Sequence, residues 1–168
     1  TWTSAVPSSS ESGTTPGNLV FTLGITTALA NTDTLDITAS QAIWSAVTAT
    51  TCTATIGGTA TTAFTTSATS TSILRVSATG AIATGTFVLT CTSNIAVNGA
   101  TGAVTFDIVS TKDTATLTGQ NGYAIVDKAG TPTSTTSNGT MKGGATIAAF
   151  TSTNYGYNIN QMETGPFL

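Results

Sequence analysis

Thiols and carboxylates are the side chains here with the most reactive chemistry, because the chain contains no histidine. That absence removes Ser-His-Asp and Cys-His catalysis and any histidine-bearing zinc site. Cys52 and Cys91 both fall on the apolar side of a strict alternation. Cys52, Ala54 and Ile56 alternate with Thr51, Thr53 and Thr55; Phe87, Leu89 and Cys91 alternate with Thr86, Val88, Thr90 and Thr92. Period two puts each set on one face of a sheet, so both thiols point into an apolar core. The pattern predicts a Cys52–Cys91 disulfide that pins the two layers of a β-sandwich and forms in an oxidising compartment. The alternative is two buried free thiols acting as small apolar residues. A bridge would close a loop of about 40 residues, worth roughly 4 kcal/mol in the chain-entropy account.

The carboxylates are less pointed. Asp33 and Asp36 flank the start of a predicted strand, and Asp107, Asp113 and Asp127 lie near strand ends. Paired carboxylates could do acid–base work on a glycoside or bind Ca²⁺. No D-x-D-x-D-G spacing occurs, and solubilising charge at the sheet rims is the plainer expectation. Glu11 and Glu163 lie in the arms. There is no G-x-x-x-x-G-K-S/T phosphate loop, and no G-x-G-x-x-G stretch opens a helix. We expect no catalytic residue, no cofactor and no metal.

The elements that would position these groups follow from composition. Four Lys or Arg and seven Asp or Glu make up 7% of the 168 residues, with a net charge of −3; soluble domains usually carry about 25% charged residues. Thr numbers 42 and Ser 16, so the surface is built of hydroxyls. Such a surface suits a secreted protein that assembles, carries glycans, or both. Arg75, Lys112, Lys128 and Lys142 are scattered, which argues against nucleic-acid binding. No apolar run approaches the ~20 residues that span a bilayer. The start at Thr1, with no signal peptide, reads as a mature product whose leader was removed, or else as a truncated chain.

Residues 1–17 are rich in Ser, Pro and Gly and read as an N-terminal arm, with Trp2 as the aromatic that would dock somewhere. Residues 18–126 read as about nine strands. Leu19, Phe21, Leu23 and Ile25 share a face, as do Leu35 and Ile37, and then Val104, Phe106 and Ile108. Gly57-Gly58, Asn98-Gly99 and Asn121-Gly122 punctuate them as turns. Residues 60–66 make a weak strand around Phe64. Ile43, Trp44 and Val47 form a helical turn or a loop that plugs the sandwich end. Helix content should be low. The expected fold class is therefore all-β: an immunoglobulin-like, two-sheet antiparallel β-sandwich with extended N- and C-terminal arms.

Residues 127–168 form a C-terminal linker and tail. Lys128–Gly144 reads as a linker. Beyond it, 145–150 (Ile147, Phe150) and 154–160 (Tyr155, Tyr157, Ile159) carry apolar side chains that want burial. Such a tail packs back on its own domain or inserts into a neighbour. Asn138-Gly139-Thr140 is an N-glycosylation sequon in the predicted linker, and Thr131, Thr133 and Ser134 are O-glycan candidates; the segment 7–12 is a second mucin-like tract.

The runs LVFTLGITTALANTDTLDIT, TTCTATIGGTA and GAIATGTFVLTCTSNIAVNGATGAVTFDIVSTKDTATLTG resemble one module of the Thr/Ala-rich immunoglobulin-like repeats of algal and other microbial surface proteins. They also resemble the sandwich subunits of pilus-like extracellular filaments. The resemblance covers roughly 18–126 and rests on alternation and turns. It implies a structural, non-enzymatic role: copies polymerise head to tail by β-strand exchange, so that the partner is a second copy. Candidate donors are Ile147, Phe150, Tyr155, Tyr157 and Ile159, or the Trp2 arm instead. The expected location is extracellular or at the cell surface. Two rivals stand beside this reading. One is a carbohydrate-binding or adhesive module. The other is an ice-binding surface built on the Thr51, Thr53, Thr55 array, although no fixed repeat length accompanies it.

Overall fold

Inward-facing Leu19, Phe21, Leu23 and Ile25 alternate with half-buried Val20, Thr22 and Gly24 along one strand, as period two demands. The computed structural model describes residues 1–113 and 115–128, with the backbone of Ser137–Thr140 and Thr146–Ala149. It divides into two compact units, Thr1–Lys128 and Ala129–Leu168. No helix occurs among the described residues.

The first unit is a sandwich of two five-stranded sheets, and all neighbouring strands are antiparallel. Its strands are β1 (Trp2–Pro7), β2 (Leu19–Ile25), β3 (Thr34–Ala39), β4 (Cys52–Ile56), β5 (Thr59–Thr61), β6 (Phe64–Ala68), β7 (Ile73–Ala78), β8 (Gly85–Cys91), β9 (Gly102–Ser110) and β10 (Leu117–Ile125). The first sheet has the order β1-β2-β8-β4-β5 and the second β10-β9-β3-β7-β6. Phe21, Phe87, Phe106, Ile37, Leu74 and Leu89 are fully buried between them. Each such side chain stabilises the fold by about 1.5–3 kcal/mol.

Three expectations need correction. Residues 1–17 are not a free arm: Trp2–Pro7 pairs with β2 and turns Ala5 into the core. Residues 60–66 are not one strand. β5 belongs to the first sheet and β6 to the second, so the chain changes sheet at Thr62–Ala63 and the two together make one crossing of the sandwich. Asn121-Gly122 is not a turn. It lies inside β10, where the register against β9 slips between Asn121 and Tyr123 as a bulge. The Gly57-Gly58 turn is present, with φ of 55° and 85°, the left-handed pair that a two-residue hairpin needs. The plug is also present, as a loop: Ile43 and Trp44 are buried against the sandwich end.

Ends and charges are both distributed unevenly. Thr1 bonds Gly24 at one pole, here called upper, where β2 ends and β3 begins. Val126 bonds Ser10 and Ser12 at the opposite, lower pole. No strand of the first sheet contains a charged residue, whereas the second carries Asp36, Arg75 and Asp107.

The second unit contains β11 (Ser137–Thr140) and β12 (Thr146–Ala149), paired antiparallel from Ser137↔Ala149 to Thr140↔Thr146. Part of the expected linker is therefore a strand.

Candidate functional site

Cys52 and Cys91 are disulfide-bonded. The bridge does not join the two layers. The cysteines are direct partners on neighbouring strands β4 and β8 of the first sheet. Thr92 N–H donates to Thr51 O (3.0 Å) next to them, so the pair sits at a non-hydrogen-bonded position of the ladder. There the Cα atoms approach most closely, here to 4.0 Å. Period-two reasoning placed both thiols on inner faces, but the inner face of one sheet satisfies it as well as the inner faces of two.

Asp33, Asp36, Asp107 and Asp113 each hold a partner elsewhere in the sandwich. Asp36 accepts both Arg75 Nε (2.8 Å) and Nη2 (2.7 Å) across β3 and β7. The side-chain carboxylate of Asp107 accepts Gly119 N–H (2.6 Å), and that of Asp113 accepts the Thr27 hydroxyl (3.3 Å). Asp33 accepts Ala30 N–H (2.6 Å) and the Thr111 hydroxyl (3.2 Å) and faces Lys112 Nζ at 3.3 Å. The backbone bond from Ala30 and the Lys112 ammonium hold its pKa below the usual carboxylate value. A folded pKa below the unfolded one of about 4 favours the folded state above that pH, and the benefit is lost as pH falls through the depressed value. Asp33→Asn is therefore expected to flatten the acid end of the stability–pH curve, read from melting temperatures between pH 2 and 5; an unchanged acid slope would sink the assignment. Among the described residues, no three His, Cys, Asp or Glu side chains gather as a metal site.

Trp2 is built into its own sandwich. Its ring stacks on Phe106 (centroids 5.2 Å, planes 29° apart) and lies 6.4 Å from Phe21. Its Nε1–H donates to Asn121 O (2.8 Å). The indole thus laces edge strand β1 of the first sheet to edge strand β10 of the second.

The four sheet edges are each blunted, as edges of stable sheets are. On β1 the ladder bonds reach Ser8 N–H to Asn18 O (3.0 Å), so Ala5 and Pro7 turn their backbone outward and Pro7 brings no N–H. β10 carries two register slips and has the Asn121 carbonyl occupied by Trp2. β6 is covered by the segment 48–50, through Ala68 N–H to Thr48 O (2.8 Å) and Thr50 N–H to Thr66 O (3.1 Å). β5 is three residues long.

At the upper pole a cavity of about 60 Å³ opens between the sheets. Leu23, Ile25, Leu29, Leu35, Ile108 and Leu117 supply its apolar walls, with Thr1, Thr27 and Asp113 among the polar ones. It holds a few waters or the tip of one apolar side chain.

Of the remaining sequence candidates, Ile147 lies in β12 opposite Gly139, and Asn138 lies in β11 opposite Ala148. Phe150, Tyr155, Tyr157, Ile159, Thr131, Thr133 and Ser134 lie outside the described residues. The threonine array falls on the outer face of the first sheet in transverse rows, Val20–Thr90–Thr53 and Thr22–Val88–Thr55, where methyls interrupt the hydroxyls. Sequence reasoning missed two asparagines that fasten loops. Asn98 Nδ2 donates to Ser9 O and Glu11 O (both 3.0 Å), and Asn94 Oδ1 accepts the Ser45 hydroxyl (2.7 Å) and Ala46 N–H (2.9 Å). Their partners are 48 to 89 residues away, so no local pattern announces them.

The chain matches no protein family, no curated protein and no solved structure.

Proposed function

We propose that this chain is a structural subunit of an extracellular filament in which copies join head to tail. The observation that carries the reading is the position of the sandwich's ends, with Thr1 at the upper pole and Val126 at the lower. The merged crossing of β5 and β6 makes the number of traverses odd and sends the chain out opposite to where it entered. A link from residues after Lys128 of one copy to the upper pole of the next repeats along one axis without closing, which is the condition for a filament. The acceptor in this proposal is the upper-pole cavity, and the donors are apolar knobs among Ile147, Phe150, Tyr155, Tyr157 and Ile159 of the neighbour. Apolar burial would supply the free energy at about 25 cal/mol per Å². The blunted edges favour such a knob-in-cavity contact over addition of a strand to the sandwich. The disulfide fits an oxidising, extracellular setting. In that setting Asn138, Thr131, Thr133 and Ser134 are glycan acceptors.

Electron microscopy of the full chain is the direct test. Deleting 129–168 is expected to abolish filaments and leave the sandwich folded; filaments that persist would overturn the assignment of the tail. The uncharged outer face of the first sheet favours a second reading, an adhesive module for neutral glycans. Measurable glycan affinity in a purified monomer that never forms filaments would select it.

A further inference from the structure

Force entering at Thr1 and leaving beyond Lys128 runs parallel to the strands, because these ends lie at opposite poles. β1 is stitched to β2 from end to end, interrupted only by a register slip between Trp2 and Ser4. The stitches run from Thr1 and Gly24, which exchange two hydrogen bonds (2.7 and 2.6 Å), to Ser8 and Asn18. Inter-strand bonds are perpendicular to antiparallel strands, so an axial load shears them together instead of opening them singly. Trp2 stands beside the point where load enters. Through Asn121 it couples β1 to β10, the two strands that take the load, and through Phe106 it grips the neighbouring β9. At the other pole Val126 N–H donates to Ser10 O (2.9 Å) and Ser12 N–H to Val126 O (2.8 Å), tying the same two ends again.

Once that seam yields, the chain unravels from β1, β2 and β3 on one side and from β10 and β9 on the other. The Cys52–Cys91 bond then closes off β4 to β8. Its 39-residue separation, at about 3.3–3.6 Å per residue, holds roughly 130–140 Å of chain out of extension. We infer that the sandwich is a force-bearing joint: the β1–β2 seam with Trp2 sets the force at which it yields, and the disulfide is a fixed stop on how far a yielded module lengthens. The benefit of such a joint rests on the filament reading, but its physics does not.

The test is to stretch single molecules of the full chain, held by their two ends, with and without reductant. Isolated molecules need not assemble, so a failure here is distinct from a failure of the filament reading. The oxidised chain is expected to lengthen by roughly 130–140 Å less than the reduced chain; equal lengthening would overturn the stop. Trp2→Ala is expected to lower the yield force. Trp2→Phe, which retains a ring for Phe106 but has no N–H for Asn121, should fall between it and the parent. Circular dichroism establishes that each variant is folded, and Trp2→Phe carries the test if Trp2→Ala is not. An unchanged yield force in a folded Trp2 variant would overturn the role of the seam.

Discussion

Gly122→Ala is expected to destabilise the sandwich by about 3 kcal/mol, the upper part of the range for overpacking a filled core. A Cβ at this position would overlap Phe106 Cε2 and lie 2.7 Å from both Phe106 Cδ2 and Val104 O. None of these atoms can retreat. Phe106 is fully buried among Trp2, Phe21 and Tyr123, and Val104 O is backbone of β9. The bulge between Asn121 and Tyr123 brings the β10 backbone down onto the ring. Gly119, three residues earlier, is the control. Its φ is +61° with open space around it, so Gly119→Ala meets only left-handed strain, about 1–2 kcal/mol. Thermal melts should rank Gly122→Ala well below Gly119→Ala. Equal melting temperatures would sink the close-approach argument.

Reduction of Cys52–Cys91 is expected to cost about 4 kcal/mol, since closing a loop of this length removes that much from the unfolded chain's entropy. For a unit of this size each kcal/mol moves the midpoint by roughly 2–8 °C, so the oxidised protein should melt at least about 8 °C above the reduced one. The measurement is a pair of melts with and without reductant. A difference of a degree or two would mean that reduced β4 and β8 remain in register in the unfolded ensemble. Cys91 is fully buried, so reduction is a cleaner probe than Cys91→Ser, which adds an unpaired hydroxyl to the core.

The strand pattern was legible where one face is buried and the other wet. Leu19 to Ile25, Leu35 with Ile37, and Val104 to Ile108 all turn inward as their alternation requires. Alternation reports the face of a sheet and is silent about neighbours. It places both cysteines inward and does not distinguish a bridge between layers from the bridge within one sheet that the structure contains. Asn-Gly serves turns and bulges alike, so Asn121-Gly122 could not be told apart locally. The seven-residue run around Phe64 hid a change of sheet because both halves are short and Thr-rich. Trp2 sits amid Ser, Pro and Gly, and its partners Phe106 and Asn121 lie more than a hundred residues away. Asp33 and Asp113 do flank strands, but Asp36 and Asp107 lie inside β3 and β9, and nothing local shows that Arg75 on β7 faces Asp36 on β3.

The two broad sides of the sandwich answer to different solution conditions. One sheet carries no ionisable side chain on any strand, so contacts through those strands hold no ion pair for salt to screen and no group for acid to titrate. The opposite sheet, with Asp36, Arg75 and Asp107, is screened by salt within about 8–10 Å. Contacts through the neutral side would survive salt that screens ion pairs, and salting-out would tighten them, while contacts through the ionic side would weaken as salt rises.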